Sequence, residues 1–469
     1  MSSSITVEME SKPVRLGVAQ YLGYAGGDAA NNLTFTLVSM FLLVYYTDVA
    51  GIAAAAAGTI FLVARVWGAF TDVFAGWMVD KTNTRWGRFR PYFLFGGLPL
   101  MLVAVATFSV PGGLSEAATL VYAYATYMLF YVAYSLVNIP YGSLASAMTQ
   151  LPDERAKLSS ARSLGTATAI IGLTVVVAPQ INRAADLQRS LTITTLIFAV
   201  VGVVFYLLLF ATSREAVERD TAPVSLRQSV GAIRHNRPLL LLCLSALFVL
   251  TGLFILQTLQ VYYARDVLGN ADYTIALTVL TTGAMFLVSP AIPKIVETVG
   301  KKRAYLVAGV ITVVGGAGIA LAPPSVLVLP LICFAVYGIG IAAVQALMWA
   351  LQADTVEYGE WKSGVRTEGT NYAALSFTRK VGQGIGGALA AYGIGLGGYI
   401  ARSPTQSPAA LDAIRHITGW GPALFIGAGT AIMLAYPLTE ERFRAIVVEV
   451  ATSRREDAVA VEIAASEEV

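Results

Sequence analysis

The stretch DKTNTRWGRFRPY at residues 80–92 places Lys81, Arg85, Arg88 and Arg90 between two long apolar runs. Each flanking run extends for about twenty residues, the length that crosses the hydrocarbon core of a bilayer. Of the 469 residues, 56% are apolar and 13% are charged, and the mean hydropathy is +0.66. A soluble domain carries about 25% charged residues. The composition therefore indicates a membrane protein.

The apolar runs are continuous rather than alternating, which predicts transmembrane helices and not the strands of a barrel. The fold class expected is an all-α polytopic membrane protein with twelve transmembrane helices in two six-helix bundles. The first eleven residues hold no apolar stretch, so no cleavable signal peptide is expected. The predicted spans lie near 18–46, 52–79, 92–111, 117–142, 162–181, 191–212, 238–263, 273–293, 303–322, 326–353, 371–397 and 417–437.

The basic residues are distributed very unevenly over the predicted loops. With the N-terminus in the cytoplasm, 23 of the 32 Lys and Arg residues lie on that side and five on the other. The positive-inside rule therefore predicts that both termini are cytoplasmic. The expected organisation is a cytoplasmic N-terminus at 1–17, bundles at 18–212 and 238–438, a cytoplasmic linker at 213–237 and a partly disordered cytoplasmic tail at 439–469.

Several other chemistries are not expected from the motifs. Gly382, Gly384 and Gly387 fit a dinucleotide-binding pattern, but they lie inside an apolar span with no preceding strand and predict a helix-packing face instead. Cys243 and Cys333 lie within spans and give neither a disulfide framework nor a metal spacing. No catalytic residue, metal, cofactor or nucleic-acid partner is expected, and the chain is not predicted to be an enzyme.

Ionisable residues inside spans are costly and therefore indicate function. Asp28, Asn31 and Asn32 share one face of the first span, and Arg65 and Asp72 share one side of the second. The fifth span opens with Arg162, and the eleventh carries Arg379 and Lys380. Acids and cations on helices from both halves predict a transport cavity near the membrane midplane. Structural pairing of Arg65 with Asp72, and snorkelling of Arg162 or Lys380 to the interface, remain alternatives.

Six blocks in order resemble the glycoside–pentoside–hexuronide:cation symporters, over about residues 17–438. This resemblance implies a branch of the major facilitator superfamily that transports sugars through a bacterial inner membrane by alternating access, coupled to a cation. The expected partners are a small sugar, the coupling cation and the lipid bilayer. The blocks are YYTDVAG (45–51), FLVARVWGAFTDVFAGWMVD (61–80), TRWGRFRPYFLFG (84–96), LVNIPYGSLASAMT (136–149), ALQADTVEYGEWKSGVRTEG (350–369) and SFTRKVGQGIGGALA (376–390).

Resemblance to the melibiose branch implies sugar contacts at Asp28, Asn138 and Arg162, to which Asn31 is added from its position beside Asp28. It also implies a cation site at the positions of Gly68, Asp72 and Lys380. Gly68 and Asn138 stand where that branch has acids.

Losing carboxylates weakens a sodium site, whereas Asp72 alone can still carry a proton, so proton coupling is favoured over sodium. With Asn138 neutral, Arg162 and Lys380 can hold a substrate carboxylate, which favours a glucuronide or related glycoside.

The resemblance also implies that the basic stretch is a gating loop, formed by Asp80, Arg85, Gly87, Arg88 and Arg90. Its cations are expected to pair with acids of neighbouring loops, and two sets of acids remain open as partners: Asp153 with Glu154, or Asp354 with Glu357 and Glu360. Sodium-coupled or uncoupled sugar transport, or a non-transporting receptor or scaffold of the same fold, are the alternative functions.

Overall fold

A computed structural model describes residues 15–149, 151–215, 234–363, 368–403, 405–450 and 452. The predicted linker and tail lie mostly outside this range. Long α-helices joined by short connections make up nearly all of the described chain. The helices are α1 Val18–Val44, α2 Ala54–Lys81, α3 Arg90–Thr107, α4 Glu116–Met148, α5 Pro152–Arg183, α6 Leu187–Thr212, α7 Arg237–Tyr262, α8 Tyr273–Val299, α9 Lys301–Leu321, α10 Val328–Ser363, α11 Glu368–Leu396 and α12 Pro408–Ile432.

Eleven of these helical segments are long and apolar enough to cross a membrane. The twelfth, α11, has 29 residues and carries Arg379 and Lys380 among its glycines. It packs against α2 and α7 inside the molecule, where polar and small side chains meet protein rather than lipid. The all-α fold expected from the sequence is confirmed.

The first six helices pack mainly on one another, and so do the last six. In the first half α1 contacts α5 and α6, while α3 contacts α4 and α6; in the second half α7 contacts α11 and α12, while α9 contacts α10 and α12. The halves meet along the pairs α2–α11, α1–α7 and α5–α8. These six helices therefore form the interface along which a site between the halves can lie.

A matching irregularity in the two halves supports an internal repeat. Each of α1 and α7 ends in a π-helical turn, at Tyr45–Val49 and Tyr263–Val267. The surrounding sequences, VYYTDVAG at 44–51 and VYYARDVLG at 261–269, are alike. Single π turns inside α-helices occur frequently at functional sites. These two turns place Asp48 and Arg265 at the same end of the molecule.

We call this end, where α1 and α7 finish, the far end. The opposite end, which carries residues 80–92, is the basic end. Because α1 begins at the basic end and α2 begins at the far end, Asp28 and Asp72 lie at similar depths. Arg65 lies seven residues, or about 10 Å along the axis, farther from the basic end than Asp72.

The glycines of α11 form the helix-packing face that the sequence predicts. A Cβ added at Gly382 would lie 2.6 Å from the Leu247 carbonyl oxygen of α7, and one at Gly384 would lie 2.7 Å from Cβ of Arg65 in α2. Since real Cβ atoms do not approach other atoms so closely, the glycines allow α11 to lie directly against both neighbours.

Substitution Gly386→Ala is expected to destabilise the protein, because the new Cβ would lie 2.4 Å from the Thr251 carbonyl oxygen of α7. Overpacking of this kind costs about 1–3 kcal/mol, so the melting temperature in detergent should fall by several degrees. Gly387→Ala is the matched control, since its nearest atom, Cδ2 of Phe61, is 3.5 Å away. Equal melting temperatures for the two variants would contradict the packing argument.

Candidate functional site

A buried ion pair joins α1 to α5 in the first half. Nε of Arg162 donates to Oδ1 of Asp28 at 3.0 Å. The other carboxylate oxygen accepts hydrogen bonds from Nδ2 of Asn32, at 2.8 Å, and from the hydroxyl of Thr166. The Asp28 side chain is almost fully buried, whereas 42% of the Arg162 side chain is exposed. Arg162 is therefore the accessible member of this pair.

A second ion pair crosses between the halves. Nζ of Lys380 in α11 contacts Oδ2 of Asp72 in α2, and the hydroxyl of Ser135 in α4 donates to Oδ1 of Asp72 at 2.6 Å. We call Asp28, Arg162, Asp72 and Lys380 the polar layer. The alternative pairing of Asp72 with Arg65 is wrong, because the two residues are seven positions apart and Arg65 bonds to Gln383 and Ser39 instead.

The position of Gly68 is closed to a second carboxylate. A Cβ at this residue would lie 2.6 Å from Cδ1 of Tyr131, whose ring occupies the space. The hydroxyl of Ser135, which donates to Asp72, lies 2.9 Å from the hydroxyl of Thr71. Asp72 is thus a single carboxylate among hydroxyl groups and one ammonium.

Asn138 lies on the face of α4 between Tyr134 and Tyr141. Tyr141 stacks on Tyr24 of α1, and its ring lies under the Arg162 guanidinium, with 5.6 Å from Cζ to the centroid. Asn138 is partly exposed, and its amide has no hydrogen bond to the described chain. That amide is available to a ligand beside Arg162.

Asn31 turns away from Asp28. Its Oδ1 accepts a hydrogen bond from the Tyr206 hydroxyl of α6 at 2.8 Å, within the first half. It is Asn32, one residue later, that bonds to Asp28. Sequence spacing could not separate these two neighbours, because both lie within about 100° of one helix face.

Two intramembrane arginines have no carboxylate partner among the described residues. The Arg65 guanidinium lies 5.0–5.6 Å from the ring centroids of Phe35, Tyr131 and Phe254. The Arg379 guanidinium lies 4.6 Å from the ring centroid of Trp349, which in turn stacks on Tyr372. Both charges were noted from the sequence, which offered Asp72 as an alternative partner for Arg65 and no contact for Arg379.

The far end is closed by polar contacts between the halves. Arg265 pairs with Asp48 across the interface and also holds Asp266, its neighbour in the chain. The hydroxyl of Tyr399 donates to Asp48 at 2.7 Å. Arg183 of α5 pairs with Asp272 before α8. These contacts join the α1–α7 and α5–α8 interfaces at one end of the molecule.

The basic loop is anchored within the first half. The carboxylate of Glu215, just after α6, accepts hydrogen bonds from the backbone N–H groups of Arg88, Phe89 and Arg90 at 2.8–3.1 Å. This places a carboxylate at the start of α3, where helix N-termini favour anions. Gly87, with φ +103°, makes room for it, since a Cβ there would lie 2.4 Å from the Glu215 carboxylate.

Each of these loop guanidinium groups has a backbone or aromatic contact among the described residues. Nε and Nη2 of Arg90 donate to the Phe210 carbonyl oxygen at 3.1 and 2.8 Å, Nε of Arg88 donates to that of Val79 at 2.9 Å, and Arg85 lies over Trp86. The side chain of Asp80 lies outside the described residues. Glu215 was not among the acids considered from the sequence.

Two of the acids considered as loop partners have other cations. Glu154 pairs with Lys157 at 3.0 Å and accepts from Tyr21 and from the backbone of Leu16. The hydrogen bonds from Tyr21 and Lys157 lower the pKa of Glu154 to about 2, so it is ionised at any physiological pH. Asp354 of α10 pairs with Lys301 of α9 at 2.7 Å. The side chain of Asp153 lies outside the described residues.

Comparison with known sequences identifies the family of this chain. Residues 23–440 match the family described as "MFS/sugar transport protein". The glucuronide carrier protein homolog of Escherichia coli is 42% identical over 92% of this chain and 94% of its own length. The isoprimeverose transporter of Lactiplantibacillus pentosus is 34% identical over 89% and 88%, and a putative sulfoquinovose importer of E. coli is 33% identical over 93% and 94%.

Solved structures show the same fold at low sequence identity. A D-xylose-proton symporter superposes with a TM-score of 0.63 at 14% identity, over 90% of this chain and 98% of its own. The nucleoside transporter NupG superposes with a TM-score of 0.62 at 14% identity, over 89% and 98%.

Proposed function

Because the chain belongs to the MFS/sugar transport protein family, we propose that it is a proton-coupled symporter of an anionic glycoside, a glucuronide or a related sugar. Membership makes it a multi-pass membrane transporter of the sugar and glycoside symporter family, and not an enzyme. Its substrate and its coupling ion are the proposed part.

The pair of Asp72 with Lys380 carries the proposal, because it joins the two halves within the polar layer. A proton on Asp72 removes the negative charge that holds Lys380 and weakens the contact between α11 and α2. The charge state of one carboxylate thus controls a contact that must change when the halves rock, which is what coupling to alternating access requires.

The surroundings of Asp72 favour a proton over a metal ion. Sodium needs several oxygen ligands, and the ring of Tyr131 fills the place of a second carboxylate at Gly68. The hydroxyl groups of Ser135 and Thr71 are the observation that favours sodium, since they offer neutral oxygens next to Asp72. Sodium coupling is therefore the second candidate.

The substrate is proposed to bind beside the polar layer. The Asn138 amide would bind sugar hydroxyl groups, and Arg162, which Asp28 holds in place, supplies positive charge next to it. Lys380 serves both ligands, because substrate binding near it competes with Asp72. The relative named as a glucuronide carrier supports an acidic sugar.

The proposed organisation keeps two bundles, 18–212 and 238–438, around this site. Lys and Arg residues concentrate at the basic end, which supports a cytoplasmic location for that end and for both termini, in a bacterial inner membrane. With that orientation, the far-end ion pairs support an inward-facing assignment of the described conformation. The basic loop, which holds α2, α3 and α6 together, would close on the second half in the opposite state.

Substrate-induced pH change tests the proposal. Adding 4-nitrophenyl β-D-glucuronide to de-energised cells in weak buffer is expected to alkalinise the medium, because each sugar enters with a proton. The neutral 4-nitrophenyl β-D-glucoside is the matched control for the carboxylate, and cells carrying Asp72→Asn are the control for coupling. Sodium-stimulated uptake without a pH change would establish the second candidate.

Uptake with neither a pH change nor a sodium effect would identify an uncoupled facilitator. No uptake of either sugar would overturn the proposed substrate class and leave a non-transporting receptor or a different substrate.

A further inference from the structure

The middle of the protein carries more positive than negative charge. Within the polar layer each carboxylate has its own cation, Asp28 with Arg162 and Asp72 with Lys380. Arg65 and Arg379 are additional cations, and neither has a carboxylate partner in the described part of the chain. Uncompensated charge inside a membrane is costly. Each of these arginines therefore calls for an explanation.

Arg65 is satisfied by the protein itself. It donates to Gln383 Oε1 at 2.7 Å and to Ser39 Oγ at 3.2 Å, and it is only 5% exposed. Three aromatic rings enclose it, and the adjoining cavity has room for about one water molecule. Arg65 ties α2 to α11 and α1, and no space beside it admits a sugar carboxylate in this conformation.

Arg379 differs in each of these respects. Its guanidinium makes no hydrogen bond to the protein among the described residues, so its donors have no acceptor there. One face lies on Trp349, which is 38% exposed, and the group is within electrostatic reach of Arg162 and Tyr134 on the other half. Arg379 is therefore a partly exposed residue whose guanidinium donors are free within the described part of the chain, and it lies within electrostatic reach of the half that carries Arg162.

We propose that Arg379 binds the anionic group of the substrate and selects an acidic sugar over its neutral counterpart. A planar guanidinium accepts a carboxylate through two parallel hydrogen bonds, and Trp349 fixes the plane of the group. The carboxylate would also relieve the repulsion between Arg379 and Arg162. In the described conformation Arg162 and Lys380 are paired with their own acids, which leaves Arg379 as the cation whose donors are available to the anionic group.

This inference rests on the proposed function and names the residue that recognises the anionic group of the substrate. Its test measures the affinity of the purified full-length protein for two probes, 4-nitrophenyl β-D-glucuronide and 4-nitrophenyl β-D-glucoside, which differ only at the sugar's C6 group. Phosphatidylcholine proteoliposomes keep anionic lipids out of the assay. Arg379→Gln is expected to weaken glucuronide binding at least about tenfold while changing glucoside binding less than about threefold.

Two further variants make the result specific. Arg379→Lys keeps the charge but loses the planar fork, so its preference for the glucuronide should fall between those of wild type and Arg379→Gln. It also provides the test if Arg379→Gln does not fold. Arg189→Gln removes an exposed charge at the far end of α6 and should leave both affinities unchanged.

The outcomes separate the two claims. Wild-type protein that prefers the glucuronide, together with an Arg379→Gln variant that keeps the same preference, would overturn the role of Arg379 and leave the proposed function standing. An equal loss of both probes would likewise reduce Arg379 to a structural residue. Wild-type protein that binds neither probe would overturn the proposed substrate class and this inference with it.

Discussion

Asp72→Asn is expected to abolish accumulation of the substrate while leaving exchange across the membrane intact. Asparagine neither takes up a proton nor pairs electrostatically with Lys380, so the contact between α2 and α11 no longer depends on protonation. One-to-one coupling converts a pH difference of one unit into about tenfold accumulation, since one unit corresponds to about 1.4 kcal/mol. In proteoliposomes with an imposed pH gradient, the inside-to-outside ratio of the variant should fall to about one.

The partner of Asp72, Lys380, provides a second test of this prediction. In Asp72→Asn the ammonium is left buried without its carboxylate, and removing one partner of a buried ion pair costs about 3–5 kcal/mol. The double variant Asp72→Asn/Lys380→Gln removes both charges and should melt at a higher temperature than the single variant. Both should fail to accumulate substrate.

Asp412→Asn is the control for the loss of a carboxylate, because Asp412 is exposed near the far end of α12. It should accumulate substrate as wild type does. Accumulation by Asp72→Asn at the wild-type ratio would remove Asp72 from the coupling mechanism, and loss of exchange together with accumulation would assign it to substrate binding instead.

The helices were predictable because lipid requires long apolar runs, but their ends and interruptions were not. Span ten was predicted at 326–353, whereas the helix continues to Ser363 with acids such as Asp354 on its last turns. Hydropathy detects only the part of a helix that meets lipid. Span eight was predicted as one helix, yet α8 is interrupted at Gly283 and by a 3₁₀ turn at Ser289–Ala291, where Pro290 lacks a backbone donor.

The site was predictable as a set of residues and not as a set of pairs. Asp28, Asp72, Arg162 and Lys380 stand out because charge inside a span is rare, and the structure brings them into two ion pairs. Their pairing depends on how α1, α5, α2 and α11 pack, which spacing within one helix does not reveal. Arg65 and Asp72 share a side of α2 but are separated by about 10 Å along the axis.

Glu215 was missed for a related reason. It meets the backbone of Arg88 to Arg90 from a position some 125 residues later in the chain, and only the packing of α3 on α6 brings it there. Acid–base pairing rules search for cationic side chains, whereas this carboxylate binds the N–H groups at the start of a helix.

Asp48→Asn is expected to open the far end of the protein. Asp48 is the carboxylate that Arg265 and Tyr399 share across the α1–α7 interface, at the end of the π turn of the first half. The charge of Asp48 stabilises only the closed state, because the carboxylate is hydrated by water once the halves have separated. If the substitution destabilises the closed state by about 1.4–3 kcal/mol, the equilibrium shifts about ten- to a hundredfold toward the open state.

Cysteine labelling measures this shift. Ala391 is fully buried where α11 meets Gly58 of α2, toward the far end, so Ala391→Cys in a background without Cys243 and Cys333 reports opening through its reaction with a maleimide. Asp266→Asn is the matched control: it removes a carboxylate from the same Arg265 but leaves the contact between the halves. Both variants deprive Arg265 of one acid. Faster labelling in the Asp48 variant than in the Asp266 variant would therefore show that Asp48 holds the two halves together. Equal rates would mean that the far end is held by packing and by the pair of Arg183 with Asp272.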